Sequence, residues 1–203
     1  MKETVSFSLR RSLAIVAAAA LFAACADDAP LAPVGGDAGS EARFADPAAG
    51  QAVAVTRDPQ LALCPNLRTP VGSKLAAALY AEGVQIYSWN GTTWTFVAPD
   101  AELFASTNGQ GQIGSHYAGP TWESISGSKV VGAVVDRCTP DPDAVPWLLL
   151  SAVSAAGPGI FRGVTYIQRV HTTGGNAPLQ PGTSVGEEAR VPYTADYLFY
   201  RGG

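Results

Sequence analysis

An imidazole, a phenol, an indole and a carboxylate fall within the eight residues His116-Tyr117-Ala118-Gly119-Pro120-Thr121-Trp122-Glu123. His116 and Glu123 could act as a general acid–base pair, because a nearby carboxylate raises an imidazole pKa toward working pH. Tyr117 and Trp122 are flat, amphipathic rings suited to stacking on a sugar or another flat ligand, with Glu123 and Lys129 bonding its hydroxyls. The blander reading has His116 bonded to a backbone carbonyl, Glu123 facing water and both rings filling core. No positioned nucleophile accompanies the cluster. Ser115, Ser124 and Ser128 are near in sequence, yet none stands in a G-x-S-x-G elbow.

Other chemistry-bearing residues are sparser. Gln168 and Arg169 alternate sides of one strand-like run, so at least one points inward, and a buried Arg needs a partner such as Glu123 or Asp196. Asp141 and Asp143 are two carboxylates separated by Pro142, too few ligands for a calcium loop. His171 stands at a strand-to-loop exit and reads as exposed. With Cys25 set apart in the leader region, Cys64 and Cys138 and the two distant His match no zinc spacing, so no metal is expected.

The elements that must position these groups follow a period of two. Val84 to Trp89, Asn90-Gly91, then Thr92 to Val97 reads as a hairpin, with Asn-Gly supplying the positive φ angles of a type I′ turn. Pro99 and Asp100 are expected to end its second arm, with Glu102 to Ser106 as a separate strand. Ile113 to Tyr117 and Thr121 to Ile125 flank the Ala-Gly-Pro bend. Lys129 to Arg137 is β-branched, with Gly132 as a bulge position, and Pro146 to Val153 is apolar on both faces, as a buried central strand would be. Val164 to His171 and Arg190 to Arg201 complete the set, the latter carrying Tyr193, Tyr197, Phe199 and Tyr200. Lys74 to Glu82 is alanine-rich and ambiguous between helix and strand. Short strands between Gly/Pro turns predict one all-β domain over 60–203, an antiparallel β-sandwich or barrel-like fold with long Gly/Pro loops.

The first 24 residues resemble a lipoprotein-type signal peptide. Lys2, Arg10 and Arg11 precede a short apolar run, and Leu21-Phe22-Ala23-Ala24-Cys25 approximates a lipobox, although Phe22 stands where Leu, Val or Ile is usual. Lipidation of Cys25 would tether an exported protein to a bacterial membrane facing the periplasm or exterior; otherwise it is secreted. Residues 25–59, rich in Ala, Asp, Gly and Pro, cannot bury enough apolar surface to offset chain entropy and read as a flexible linker. Cleavage before Cys25 leaves 10 of 13 basic and 16 of 17 acidic residues, a net charge of −6. That balance argues against nucleic acid as a partner and against anionic headgroups, leaving contact with a membrane only through Cys25. It also leaves two cysteines, Cys64 and Cys138, an even pair that in an oxidising compartment most simply forms one disulfide.

Several runs recur together in a known family. They are Ala81-Glu82-Gly83-Val84-Gln85-Ile86-Tyr87, Phe96-Val97-Ala98-Pro99, the octapeptide above, Gly127-Ser128-Lys129-Val130-Val131-Gly132, Val145 to Leu150, Val164 to Val170 and Val191 to Tyr197. In this order they resemble the secreted domain of unknown function (DUF) 3455 family of bacteria and fungi, which carries no established activity to transfer. Members often have one Cys where this chain has Trp89 and another late in the loop occupied here by Thr172 to Gly186. Their joint absence fits a missing disulfide, with Cys64 and Cys138 forming a different one. Some fungal relatives are labelled malate dehydrogenase, which directs attention to Gly109-Gln110-Gly111-Gln112-Ile113-Gly114. A dinucleotide fingerprint must follow a buried strand and open a helix. His116-Tyr117-Ala118-Gly119-Pro120 just beyond cannot be that helix, so the match reads as a hairpin turn, and no cofactor is expected.

The expected protein is thus a non-enzymatic envelope binder of a small molecule, glycan or protein partner. Its surface would be centred on His116, Tyr117, Trp122 and Glu123, with Lys129, Gln168 and Arg169 nearby. A hydrolase or isomerase using His116 and Glu123 is the second possibility, and a structural envelope or coat protein the third.

Overall fold

A computed structural model describes residues 61–203. The signal peptide, Cys25 and the linker lie outside the described residues. After a single 3₁₀ turn at Pro65–Leu67, the chain runs through β1 (Lys74–Trp89), β2 (Trp94–Phe104), β3 (Gln112–Tyr117), β4 (Thr121–Ser124), β5 (Lys129–Cys138), β6 (Trp147–Ala156), β7 (Tyr166–Gly174) and β8 (Glu188–Arg201). Each strand pairs antiparallel with the next, and β8 pairs back onto β1, closing a barrel. Of the two architectures expected from sequence, the ring is the one formed. Closure removes the unpaired edges that a sandwich would leave.

Three local expectations change. Lys74 to Glu82 is strand, because every second residue there reaches the interior: Leu79 and Ala81 are buried on a sheet face that extends through Gln85 and Tyr87. Tertiary pairing overrides the helix preference of the alanines. Pro99 does not end β2, and Glu102 to Phe104 continue the same strand. Pro99 pairs with Gln85 on one side, while pairing to β3 begins only at Ala101, so its missing N–H breaks no ladder there. The Asn90-Gly91 hairpin forms, but only Gly91 has positive φ. Asn90 Oδ1 accepts from the N–H groups of both Thr92 and Thr93 at 2.9 Å, so a side chain organises this turn in place of a left-handed Asn.

Inward residues form the main core, with Leu79, Leu103, Val130, Leu150, Ile167 and Phe199 among its members. One end of the barrel is plugged by the β6–β7 connection, whose Phe161 and Val164 are buried. The serines hold this plug. Ser128 Oγ accepts from Phe161 N–H at 3.3 Å and bonds Ser124 Oγ at 2.8 Å, and Ser124 Oγ also bonds Ser126. A second cluster lies outside the barrel, where Leu61, Cys64 and Leu67 cover Leu149, Val170 and Leu198. Gln168 faces this outer layer, donating to Leu67 O at 2.6 Å and accepting from Tyr200 OH at 2.7 Å. The expected disulfide Cys64–Cys138 fastens the covering segment to the end of β5.

Glycines permit the tightest coiling. A Cβ on Gly114 would sit 2.1 Å from Glu123 O, and one on Gly83 2.2 Å from Asp100 O. Backbone cannot yield as a flexible side chain can. Gly114→Ala is therefore expected to destabilise the domain by about 2–3 kcal/mol in urea unfolding. Gly132→Ala, whose Cβ would meet only side chains at 3.1 Å and beyond, should cost less.

Candidate ligand-binding site

The opposite end of the barrel is open. There the β1–β2, β3–β4, β5–β6 and β7–β8 connections form a rim, and three bulges fall nearby, at Ile86/Tyr87, Val134/Asp136 and Val170/Thr173. Bulges bend strands and widen a barrel locally. Below the rim lies a cavity of about 440 Å³. Its apolar wall includes Phe96, Val134, Val145, Leu148, Leu150 and Trp122. Its polar groups are Gln85, Tyr87, His116, Tyr197, Arg137 and Arg169.

The β3–β4 hairpin decides which of the expected site residues reach this cavity. Tyr117 pairs with Thr121 and His116 with Trp122, which places a three-residue connection, Ala118-Gly119-Pro120, between the strands. Thr121 Oγ1 closes it by donating to Ala118 O at 2.9 Å. His116 and Trp122 consequently share the inner face, and their rings stack with centroids 4.4 Å apart and planes 5° from parallel. Tyr197 meets both rings edge-on, at 5.0 and 5.2 Å. Tyr117 and Glu123 share the outer face, where the phenol donates to Glu123 Oε2 and Lys129 Nζ lies 3.1 Å from the same oxygen.

The expected His116–Glu123 pair is therefore split by the thickness of the sheet. The four-residue surface proposed from sequence does not exist as one surface: His116 and Trp122 belong to the cavity, whereas Tyr117, Glu123 and Lys129 form a solvated cluster outside it. The Tyr117 hydroxyl first, then Lys129, holds the Glu123 carboxyl below its ordinary range, and Lys129 is raised in turn. His116 is 3% exposed. Its Nδ1–H donates to Thr121 O at 2.9 Å, an acceptor that fixes the proton on Nδ1. Burial, chiefly, and the charge of Arg169 lower its pKa to about 3, so it is neutral at ordinary pH.

Arg169 is half-buried and lines the cavity, while Gln168 points out, as their alternation requires. The carboxylate partners expected for Arg169 are engaged elsewhere: Glu123 with Lys129, and Asp196 with His171 at 2.9 Å. Arg169 donates from Nε and Nη2 to Pro146 O at 3.1 and 2.8 Å and forms no ion pair among the described residues. Its charge reaches Tyr87, His116, Tyr193 and Tyr197. The three phenols are nonetheless pushed up, because burial outweighs that charge. Gln85 Nε2, Trp122 Nε1, Tyr193 OH and Tyr197 OH are sealed from water without a hydrogen-bond partner of good geometry. Gln85, Tyr193, Tyr197 and Arg169 nevertheless stand close enough for their polar groups to interact, Tyr193 with both Gln85 and Tyr197, and Tyr197 with Arg169.

His171 is not free at a loop exit. It occupies the left-handed region (φ 49°) at the β7–β8 bulge, bonds Asp196 and meets Trp147 edge-on at 5.1 Å, all on the outer wall. Asp141 Oδ1 accepts from Asp143 N–H at 2.9 Å, a local turn. The Gly109–Gly114 match is the β2–β3 turn running into β3, with Gly109 and Gly111 at positive φ and no helix following.

A family model described as a protein of unknown function, DUF3455, matches residues 70–201. The chain belongs to the DUF3455 family. No curated protein and no solved structure matches it. The DUF3455 match spans all eight strands, whereas Cys64 and the covering segment precede it. Trp89 packs against the β7–β8 loop: a Cβ on Gly182 would lie 2.5 Å from its ring. Trp94 Nε1 donates to Gln180 O at 2.9 Å beside it. Two indoles thus hold the loop that the resemblance suggests other members cross-link. Sequence reasoning overlooked Gln85, Tyr87, Arg137 and Tyr197 as lining residues. The signal available for Gln85 and Tyr87 was their place on the otherwise apolar inward face of β1.

Proposed function

We propose that this DUF3455 protein is an exported binding protein that takes a small molecule into the open end of its barrel, tethered near a membrane through Cys25. The observation that carries the reading is the cavity itself. Eight strands enclose just enough room for side chains or for one small ligand. Here side chains fill the plugged half and leave about 440 Å³ at the rim, within the ordinary range for ligand pockets. The disulfide supports export, because such bonds persist in oxidising compartments. A mostly apolar, concave site favours a small molecule over a glycan or a protein surface.

Val134 lines the cavity yet is 44% exposed, so a larger side chain there can enter the space without displacing core. In a thermal-shift screen of a small-molecule library, hits are expected to raise the Tm of the wild type by several degrees. Val134→Trp, with an unchanged Tm of its own, should lose those shifts. Hits that stabilise both proteins equally would place binding elsewhere.

A further inference from the structure

We propose that the cavity's ligand is an amphipathic anion, an aryl or alkyl carboxylate, whose head group docks on Arg169 while its apolar body lies along Trp122, Leu148 and Leu150. This rests on the small-molecule reading above and adds the chemistry of the ligand.

The charges lining the cavity are unbalanced. The cavity holds two guanidiniums, Arg137 and Arg169, and no carboxylate among its described lining residues, in a protein whose overall charge is negative. His116 adds no charge there at ordinary pH. A half-buried guanidinium is ordinarily matched by a carboxylate, because removing a charge from water without a counter-ion is costly. Here both plausible counter-ions are committed on the outer wall, to Lys129 and His171.

A second observation is how Arg169 is held. Among the described residues its guanidinium donates to an uncharged carbonyl, Pro146 O, and stands beside the Tyr197 hydroxyl, with no anion against it. A carboxylate would supply that anion and meet the remaining N–H groups of the guanidinium in their preferred planar geometry. Pro146 O anchors the Nε and Nη2 edge of Arg169, which holds the fork in place before any ligand arrives. The remainder of the wall is aliphatic and aromatic, which calls for an apolar body. Arg137, exposed at the rim, would draw anions toward the opening.

The test uses purified protein carrying Cys25→Ser and two matched probe pairs, 2-naphthoate with 2-naphthamide and octanoate with octanamide, titrated by calorimetry. Each carboxylate is expected to bind at least tenfold tighter than its amide, with affinity falling as salt rises. Arg169→Met should weaken the carboxylates by roughly thirtyfold and leave the amides within about threefold, since one charged hydrogen-bonded contact is removed. Should Arg169→Met not fold, Arg137→Met on the exposed rim and the carboxylate–amide ratio of the wild type decide the matter. Equal binding of acids and amides would overturn the anionic assignment while leaving a small-molecule cavity. No binding of either pair, together with an empty library screen, would overturn the small-molecule reading itself.

Discussion

Replacing Cys64 and Cys138 together by alanine is expected to lower the stability of the oxidised protein by about 4 kcal/mol, the chain-entropy value for a loop of 74 residues. For a domain of this size that corresponds to a fall in Tm of roughly 10 °C. The bond joins two places that are otherwise linked mainly by apolar contact. Leu61 and Leu67 lie on Leu149, Val170 and Leu198 outside the barrel, and Cys64 is completely buried among them. Without the cross-link the unfolded chain gains freedom, and the covering segment keeps its packing, the Gln168–Leu67 bond and the bond that Asn66 Nδ2 donates to Arg137 O at 3.1 Å. Alanine avoids placing a hydroxyl in a dry site. Thermal unfolding of both proteins with and without reductant checks the assignment: the difference should vanish once the wild-type bond is reduced. A loss below about 1 kcal/mol would mean that packing and these hydrogen bonds hold the segment without the cross-link.

That bond was legible from parity and compartment, and so was much of the fold. Alternation along Val84 to Trp89, Lys129 to Arg137 and Val164 to His171 marked the strands plainly. The two-faced apolar run at Leu148, Leu149 and Leu150 correctly implied cover on both sides, from the cavity wall within and from Leu61 and Leu67 without. The alternation of Gln168 and Arg169 correctly sent them to opposite faces. The site failed on alternation. Strands bounded by Tyr117 and Thr121, with Ala118-Gly119-Pro120 between them, pair Tyr117 with Thr121 and His116 with Trp122, so parity sends His116 and Glu123 to opposite faces. The expected acid–base couple took the two groups as neighbours because one bend joins their strands, and neglected the alternation those bounds impose. Local sequence could not show that Glu123 and Asp196 would be engaged elsewhere and leave Arg169 without a carboxylate, since that depends on strands far apart in the chain.

The same register makes the domain acid-sensitive through His116. Its imidazole is buried against Trp122 with a pKa lowered from 6.5 to about 3. In the unfolded chain it regains an ordinary value. As pH falls below about 6.5 the unfolded state takes up a proton that the folded state refuses, so stability should fall by about 1.4 kcal/mol per pH unit until the folded group titrates. Between pH 7.5 and pH 4.5 the expected loss is about 2–3 kcal/mol, and above about pH 7.5 the group contributes almost no slope. Ordinary carboxylates protonate toward the bottom of this window. Glu123, held down by Tyr117 and then Lys129, and Glu187, held down by Thr183, do so lower still. His116→Phe keeps an aromatic ring on Trp122 and removes the titration. It should be less stable at pH 7.5 by about 1 kcal/mol, because Thr121 O loses its donor, yet lose much less on acidification. The curves of wild type and variant are expected to cross at about pH 5.8. Urea unfolding at half-unit steps from pH 7.5 to 4.5, with His171→Gln as a control for the other imidazole, reads both slopes. Parallel curves for wild type and His116→Phe would show that the imidazole by the cavity is reached by protons in the folded state.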